Sequence, residues 1–161
     1  MDDAITEYLR QSNALTKIWR QKKTFGWFPS EYEIVSHLIV PFFRSLGWPP
    51  QNIGVEWDAF DVVLFDALPR TRRSCFLIVE AKPTIEQVTR VDKEFQILND
   101  KLGSGLAQCN RMVSNGRKYW LSLSETTGQT RKQGDITKSP RLWNEFCSNL
   151  KFPRQLTHEC L

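Results

Sequence analysis

The chain has 161 residues and a mass of 18.8 kDa, enough for one domain with its own core and too few for several. With 40% hydrophobic and 25% charged residues it is neither a disordered tail nor a membrane-spanning chain, since no long apolar run occurs. Twenty-two Lys and Arg against 18 Asp and Glu give a net charge of +4, which admits a polyanionic partner without demanding one.

Met1-Asp2-Asp3 opens the chain with acid, the wrong charge for a secretory or mitochondrial leader, so a cytoplasmic protein is expected. Ile5, Tyr8, Leu9, Leu15, Ile18 and Trp19 recur at helical spacing over 2–22 and predict an amphipathic helix. Phe25-Gly26-Trp27-Phe28-Pro29 breaks it. Ser30-Glu31-Tyr32-Glu33 is a capping-box signature, with Glu33 as the serine's partner, and it opens a second helix. That helix is apolar nearly all round, through Ile34, Val35, Leu38, Ile39, Phe42, Phe43 and Leu46. Pro41 should kink it and Gly47 end it.

Ile53, Val55 and Trp57 alternate with polar residues or glycine, as in a half-buried strand. Asp61-Val62-Val63-Leu64-Phe65-Asp66 is a short apolar strand with an acid at each end. A basic turn, 69–74, leads into Cys75-Phe76-Leu77-Ile78-Val79-Glu80-Ala81-Lys82, whose unbroken apolar run belongs in a sheet centre covered on both faces. From Thr84 to about Met112 the pattern reads as helix, interrupted at Gly103-Ser104-Gly105. Tyr119, Leu121 and Leu123 then form a strand after an Asn115-Gly116 turn. Residues 128–141 read as a mobile polar loop, and Ser139-Pro140 opens a short last helix over 142–150. The expected order is α, α, β, β, β, α, β, α: one mixed α/β (α+β) domain over 1–161, its central sheet flanked by helices. Cys75, Cys109, Cys147 and Cys160 are scattered, with no Cys-x-x-Cys pair and no adjacent histidine, so they read as packing residues and not as zinc ligands.

The charges on the two central strands carry the chemical signal. Glu80 and Lys82 are two residues apart and so leave the sheet on one face, with Asp61 on the preceding strand. Charges at the end of so apolar a strand are costly unless paired or bound to a metal. Two converging carboxylates suit Mg²⁺, which takes one or two such ligands and keeps the rest of its shell for water and phosphate. Ten Glu and ten Lys give about 0.6 chance Glu-x-Lys matches in a chain this long, so the strand context carries more weight than the tripeptide. A plain salt bridge of Lys82 with Asp61 or Glu80 is the simpler reading of the same residues.

Asp61…Glu80-Ala81-Lys82 resembles the PD-(D/E)xK nuclease motif, and more of the chain is similar to one branch, the N-terminal nuclease domain of type I restriction enzyme R subunits. Glu31, then Ile39-Val40-Pro41-Phe42-Phe43-Arg44-Ser45-Leu46-Gly47-Trp48, then Asp61-Val62-Val63-Leu64-Phe65, Val79-Glu80-Ala81-Lys82, Gln108 and Ser114-Asn115-Gly116-Arg117-Lys118-Tyr119-Trp120 follow that branch's order over about 30–125. The resemblance implies a restriction-endonuclease-like core and Mg²⁺-dependent hydrolysis of DNA phosphodiesters, with Mn²⁺ as a substitute. It implies Asp61 and Glu80 as metal ligands, Lys82 as the residue that positions or activates water, and Gln108 and Glu31 as assisting residues. Arg70, Arg72 and Arg73, and Arg117 and Lys118 with Arg131 and Lys132, are the candidate DNA contacts, since phosphates need such charges. Phe60 stands where the motif has proline, Met112 where the branch has a tyrosine after Gln108, and the 109–115 stretch is short. The proline change is harmless to the metal; the other two departures are the grounds for an alternative, an inactive nuclease-fold module that binds DNA or a protein partner, against which the intact Asp61, Glu80 and Lys82 stand. No GxxxxGK[ST] motif occurs, so no nucleotide cofactor is expected; a homodimer or a larger assembly is the expected setting.

Overall fold

Six strands lie side by side in the order in which the chain makes them. They are β1 (Ile53–Trp57), β2 (Phe60–Phe65), β3 (Cys75–Ala81), β4 (Asn110–Ser114), β5 (Lys118–Glu125) and β6 (Gly128–Asp135). Every neighbouring pair is antiparallel except β3 and β4, which are parallel. A parallel pair needs a long crossover, and the helix α3 (Val88–Leu102) supplies it. The computed structural model describes residues 3–19, 21, 29–83, 88–102, 106, 109–125, 128–135 and 145–152.

Two layers of helix explain why β3 has no polar face. On one side α1 (Asp3–Trp19), the second helix and a turn at 145–150 pack on Val62, Leu64, Leu77, Val79, Ala81, Met112, Tyr119 and Leu121. On the other, Val91, Phe95, Leu98 and Leu102 of α3 cover Val63, Phe65, Ile78, Val113 and Trp120. Successive residues of β3 therefore enter opposite cores, and Leu77 to Ala81 are all buried. Among the described residues no helix is long and apolar enough to cross a membrane.

The second helix, α2, starts as Glu31–Ile34, passes through a π-helical stretch Val35–Ile39 and finishes as Val40–Ser45. Its capping box forms as expected. The Glu33 N–H donates to the Ser30 hydroxyl at 3.1 Å, and the Ser30 N–H donates to the Glu33 carboxylate at 2.7 Å. Pro41 has no N–H and its ring crowds the carbonyl four residues back. The wider turn just before it accommodates that defect, with the Val40 N–H reaching back to the Val35 carbonyl. Two long-range hydrogen bonds tie the helical layer together. The Tyr8 and Tyr119 hydroxyls meet at 2.7 Å inside the core, and the Trp48 indole N–H donates to the Leu150 carbonyl at 2.7 Å.

Three expectations are corrected. The helix expected to run to about Met112 ends at Leu102, and Asn110–Ser114 is strand β4, with Met112 fully buried between the sheet and the first helical layer. A strand flanked by β3 and β5 and covered on both faces has no polar alternation to reveal it. The expected loop over 128–141 is strand β6 over Gly128–Asp135, paired with β5 along its whole length; 136–141 lie outside the described residues. Its polar sequence suits a sheet edge, where charges discourage further pairing. Val55, expected on the buried side, is exposed. β1 is the opposite edge, and it gives way to left-handed backbone at Glu56, Asp58 and Ala59. Of the last helix, expected over 142–150, residues 145–148 are helical and 142–144 lie outside the described residues.

The β4–β5 turn is pressed against α2. Gly116 has a φ of +81°, and a Cβ there would overlap Leu38 Cδ1 and crowd Ile34. Gly116→Ala should cost about 2–4 kcal/mol, from the left-handed backbone and the overlap together. In a Leu38→Ala background the same change should cost only about 1–2 kcal/mol, the backbone part. Urea unfolding of the four proteins measures that coupling.

Candidate functional site

Antiparallel register decides where the acids meet. Val62 of β2 lies opposite Val79 of β3, so one step further along Asp61 lies opposite Glu80. Residues directly opposite across a ladder share a face and approach closely, so like charges there repel. Glu80 shares its face with Ile78, the α3 side, and its side chain is only 7% exposed. The Asp61 carboxylate accepts the Ala81 N–H at 2.7 Å, which fixes it at the end of β3.

The surrounding charges come from three other places. Lys82 continues β3 by donating its backbone N–H to the Ser114 carbonyl at 2.7 Å, so the end of β4 aims its side chain. Its ammonium lies 3.0 Å from the Glu31 carboxylate and 3.6 Å from Glu80 Oε2. Glu31 is the first residue of α2, placed there by the Ser30 cap. Lys101, in the last turn of α3, reaches Glu80 Oε1 at 3.3 Å. Glu31, Lys82, Glu80 and Lys101 thus form a chain of alternating charge with Asp61 beside it. With every group ionised, three carboxylates and two ammoniums leave the cluster at −1.

Burial pushes the Glu80 carboxyl above its ordinary value, and the charge of Asp61 adds to the rise against the pull of Lys101 and Lys82. Burial also raises Asp61, against its hydrogen bond from Ala81 and the charge of Lys82, with Glu31 adding to the rise. Burial alone would lower Lys82, but its hydrogen bond and ion pair with Glu31 and the charges of Glu80 and Asp61 carry it upward. At neutral pH Lys82 is therefore an ammonium: a hydrogen-bond donor and a positive charge, not a base. Two neighbouring acids that both stay raised, with two cations that do not fully compensate, form a site that favours additional positive charge.

A divalent cation held here would have to make do with two carboxylates. Among the described residues no cluster of three or more His, Cys, Asp or Glu side chains is arranged to hold a metal. Asp61 and Glu80 would be the two carboxylate ligands, with Glu31 committed to Lys82, and Mg²⁺ commonly binds through only one or two carboxylates.

The basic residues separate into two groups. Lys118 and Arg117 follow the Asn115-Gly116 turn, next to the Ser114 carbonyl that holds Lys82, at the same end of the sheet as the acids. The 69–74 turn enters the other end of β3, and six residues of strand separate Ser74 from Glu80 by about 20 Å. Two of its arginines have internal partners. Arg70 donates to the carbonyls of Gln51, Pro50 and Ile53, and Arg72 pairs with Asp58. Arg73 is exposed. Lys132 donates to the Asn149 side chain at 2.9 Å. Gln108 and the Arg131 side chain lie outside the described residues. The sequence reading missed Lys101. Its place on the helical pattern, between Leu98 and Leu102, marks the side facing the sheet, but only the crossover geometry shows which strand residue it meets.

No protein-family model, no curated protein and no solved structure matches this chain.

The raised Glu80 carboxyl sets the direction of a pH effect. Between the unfolded-chain value of 4.5 and the higher folded value the native state holds more protons than the unfolded state, so stability falls as pH rises through that window. In metal-free buffer Glu80→Gln should therefore be more stable than the parent at pH 7, and the difference should vanish below about pH 4. Urea midpoints across pH measure it.

Proposed function

We propose that this chain is a Mg²⁺-dependent nuclease of the PD-(D/E)xK kind that hydrolyses phosphodiester bonds in DNA. One observation carries the reading: Asp61 and Glu80 oppose each other at adjoining ends of β2 and β3, Glu80 buried and Asp61 partly so, with Lys82 beside them. An isolated salt bridge needs one acid and one base; here a second acid faces the first across the ladder, an arrangement that favours a bound cation. The order of motifs over about 30–125, from the Glu31 helix to the Ser114-Asn115-Gly116 hairpin, supports a restriction-endonuclease-like core.

In this reading Mg²⁺ supplies positive charge at the phosphate and makes a water more acidic. The protein's own groups position and stabilise. Lys82, anchored by Glu31 at 3.0 Å, presents N–H donors beside the carboxylate pair, where they can orient the attacking water and stabilise charge developing on the phosphate oxygens. Glu31 acts through Lys82, holding the ammonium in place. Lys118 and Arg117, at the same end of the sheet, are the basic residues suited to the DNA backbone, whereas Arg70 and Arg72 already serve the fold. Lys101 occupies one oxygen of Glu80 from a half-exposed position, so a cation at Glu80 competes with it.

The test is cleavage of supercoiled and linear DNA with Mg²⁺ or Mn²⁺ at low salt. Cleavage should require the metal and fall at least about a hundredfold in Glu80→Ala and in Lys82→Ala. Metal-independent cleavage, or cleavage indifferent to both substitutions, contradicts the proposal. DNA binding without cleavage, unchanged by metal, points instead to the inactive binding module. Lys101→Met should tighten Mg²⁺ a few-fold in calorimetry by removing the competing charge.

A further inference from the structure

Two thiols meet at the end of β3 remote from the carboxylates. Leu77 of β3 lies opposite Asn110 of β4 in a parallel ladder, so one step back Phe76 faces Cys109, and Cys75 is one residue off the diagonal. With strands about 4.8 Å apart and a rise of about 3.3 Å per residue, that offset puts the two Cα atoms about 6 Å apart, inside the range a disulfide spans. Cys109 precedes the first residue of β4, where its backbone N–H still donates to the Leu106 carbonyl, so its side chain is not bound by strand alternation. Both cysteines pack in the same cluster on the α3 side. The Cys109 thiol donates to the Cys75 carbonyl oxygen at 3.2 Å, which holds its sulfur against the Cys75 backbone. Both are free.

We propose that Cys75 and Cys109 are a redox site, forming a reversible intramolecular disulfide on reaction with a hydroperoxide. The chemistry is the same from either sulfur. One thiolate attacks a peroxide oxygen: the S–O bond forms, the O–O bond breaks, and the departing oxygen takes up a proton to leave as water or alcohol. The other sulfur then attacks the sulfenic acid, the S–S bond forms, the S–O bond breaks, and water leaves with that thiol's proton. Two electrons pass from the thiols to the peroxide. Cys75 is partly exposed, which gives a small oxidant an approach to the pair. Cys147 is the internal contrast, a buried thiol with no cysteine partner among the described residues, pushed up to about 12 by burial. The bond would close the β3–α3–β4 crossover that carries Glu80, Lys82 and Lys101 into a covalent loop. This inference stands apart from the nuclease reading.

The experiment is exposure of the native protein to hydrogen peroxide, alkylation of remaining thiols, and tryptic mass spectrometry. The expected result is a loss of about 2 Da and a linked pair of peptides containing Cys75 and Cys109, both reversed by dithiothreitol. Cys147 should be alkylated only after denaturation. In Cys75→Ser and in Cys109→Ser the reaction should stop at a sulfenic acid on the remaining cysteine of the pair, which dimedone traps. Linkage through Cys147 or Cys160, linkage only between molecules, or irreversible oxidation of Cys75 and Cys109 without a link overturns the proposal. The wild-type peptide map decides the question even where a serine variant folds poorly.

Discussion

Two carboxylates face one another across the β2–β3 ladder where both faces of the sheet are covered, and the rest of this end of the molecule is arranged around that repulsion. Asp61 is fixed by the Ala81 N–H, so it cannot swing away, and Glu80 is 7% exposed, so water cannot solvate it. The two ammoniums that approach Glu80 come from outside the β2–β3 ladder, Lys82 from the chain beyond β3 and Lys101 from α3. Both acids stay raised despite them. A core built for stability alone would place apolar side chains here, since a buried ionic cluster is seldom worth its desolvation. The raised acids cost stability when they ionise, and in the proposed function a divalent cation would relieve that cost.

Each neighbouring element has a part in holding the geometry. The Ser30–Glu33 capping box sets the first turn of α2 and with it Glu31, which anchors Lys82. The β4–β5 turn contributes the Ser114 carbonyl to the Lys82 backbone, and Gly116 lets that turn sit against Leu38 of α2. The π-helical stretch around Val35–Ile39 lets α2 continue past Pro41 and keep its apolar face on the sheet. Helix α3 spans the crossover and brings Lys101 to the other side of Glu80.

Much of this was legible in the sequence where local chemistry is strong. The capping box, the Gly47 stop, the Asn115-Gly116 turn and the two apolar strands ending in charge all form where their residues place them. The face-sharing of Glu80 and Lys82 followed from a period of two, and their 3.6 Å ion pair agrees with it. What was not legible depends on neighbours distant in sequence. β4 is hidden because Met112 and Val113 feed opposite cores, so no alternation appears. β6 is hidden because its hydrogen bonds to β5, not apolar residues, hold it in the sheet. Arg70 and Arg72 resembled a phosphate-binding patch by charge alone, yet they bind carbonyls and Asp58. Lys101 and the Cys75–Cys109 contact belong to the crossover, which spacing along the chain does not fix.

The account rests on the carboxylate pair being poised for a cation, and NMR titration of the Asp61 and Glu80 side-chain carboxyls with and without Mg²⁺ tests that most directly. Without metal both should titrate above the ordinary carboxylate range, and Mg²⁺ should lower both while leaving Glu33 unchanged. Ordinary values for both acids that ignore saturating Mg²⁺ would contradict the central claim.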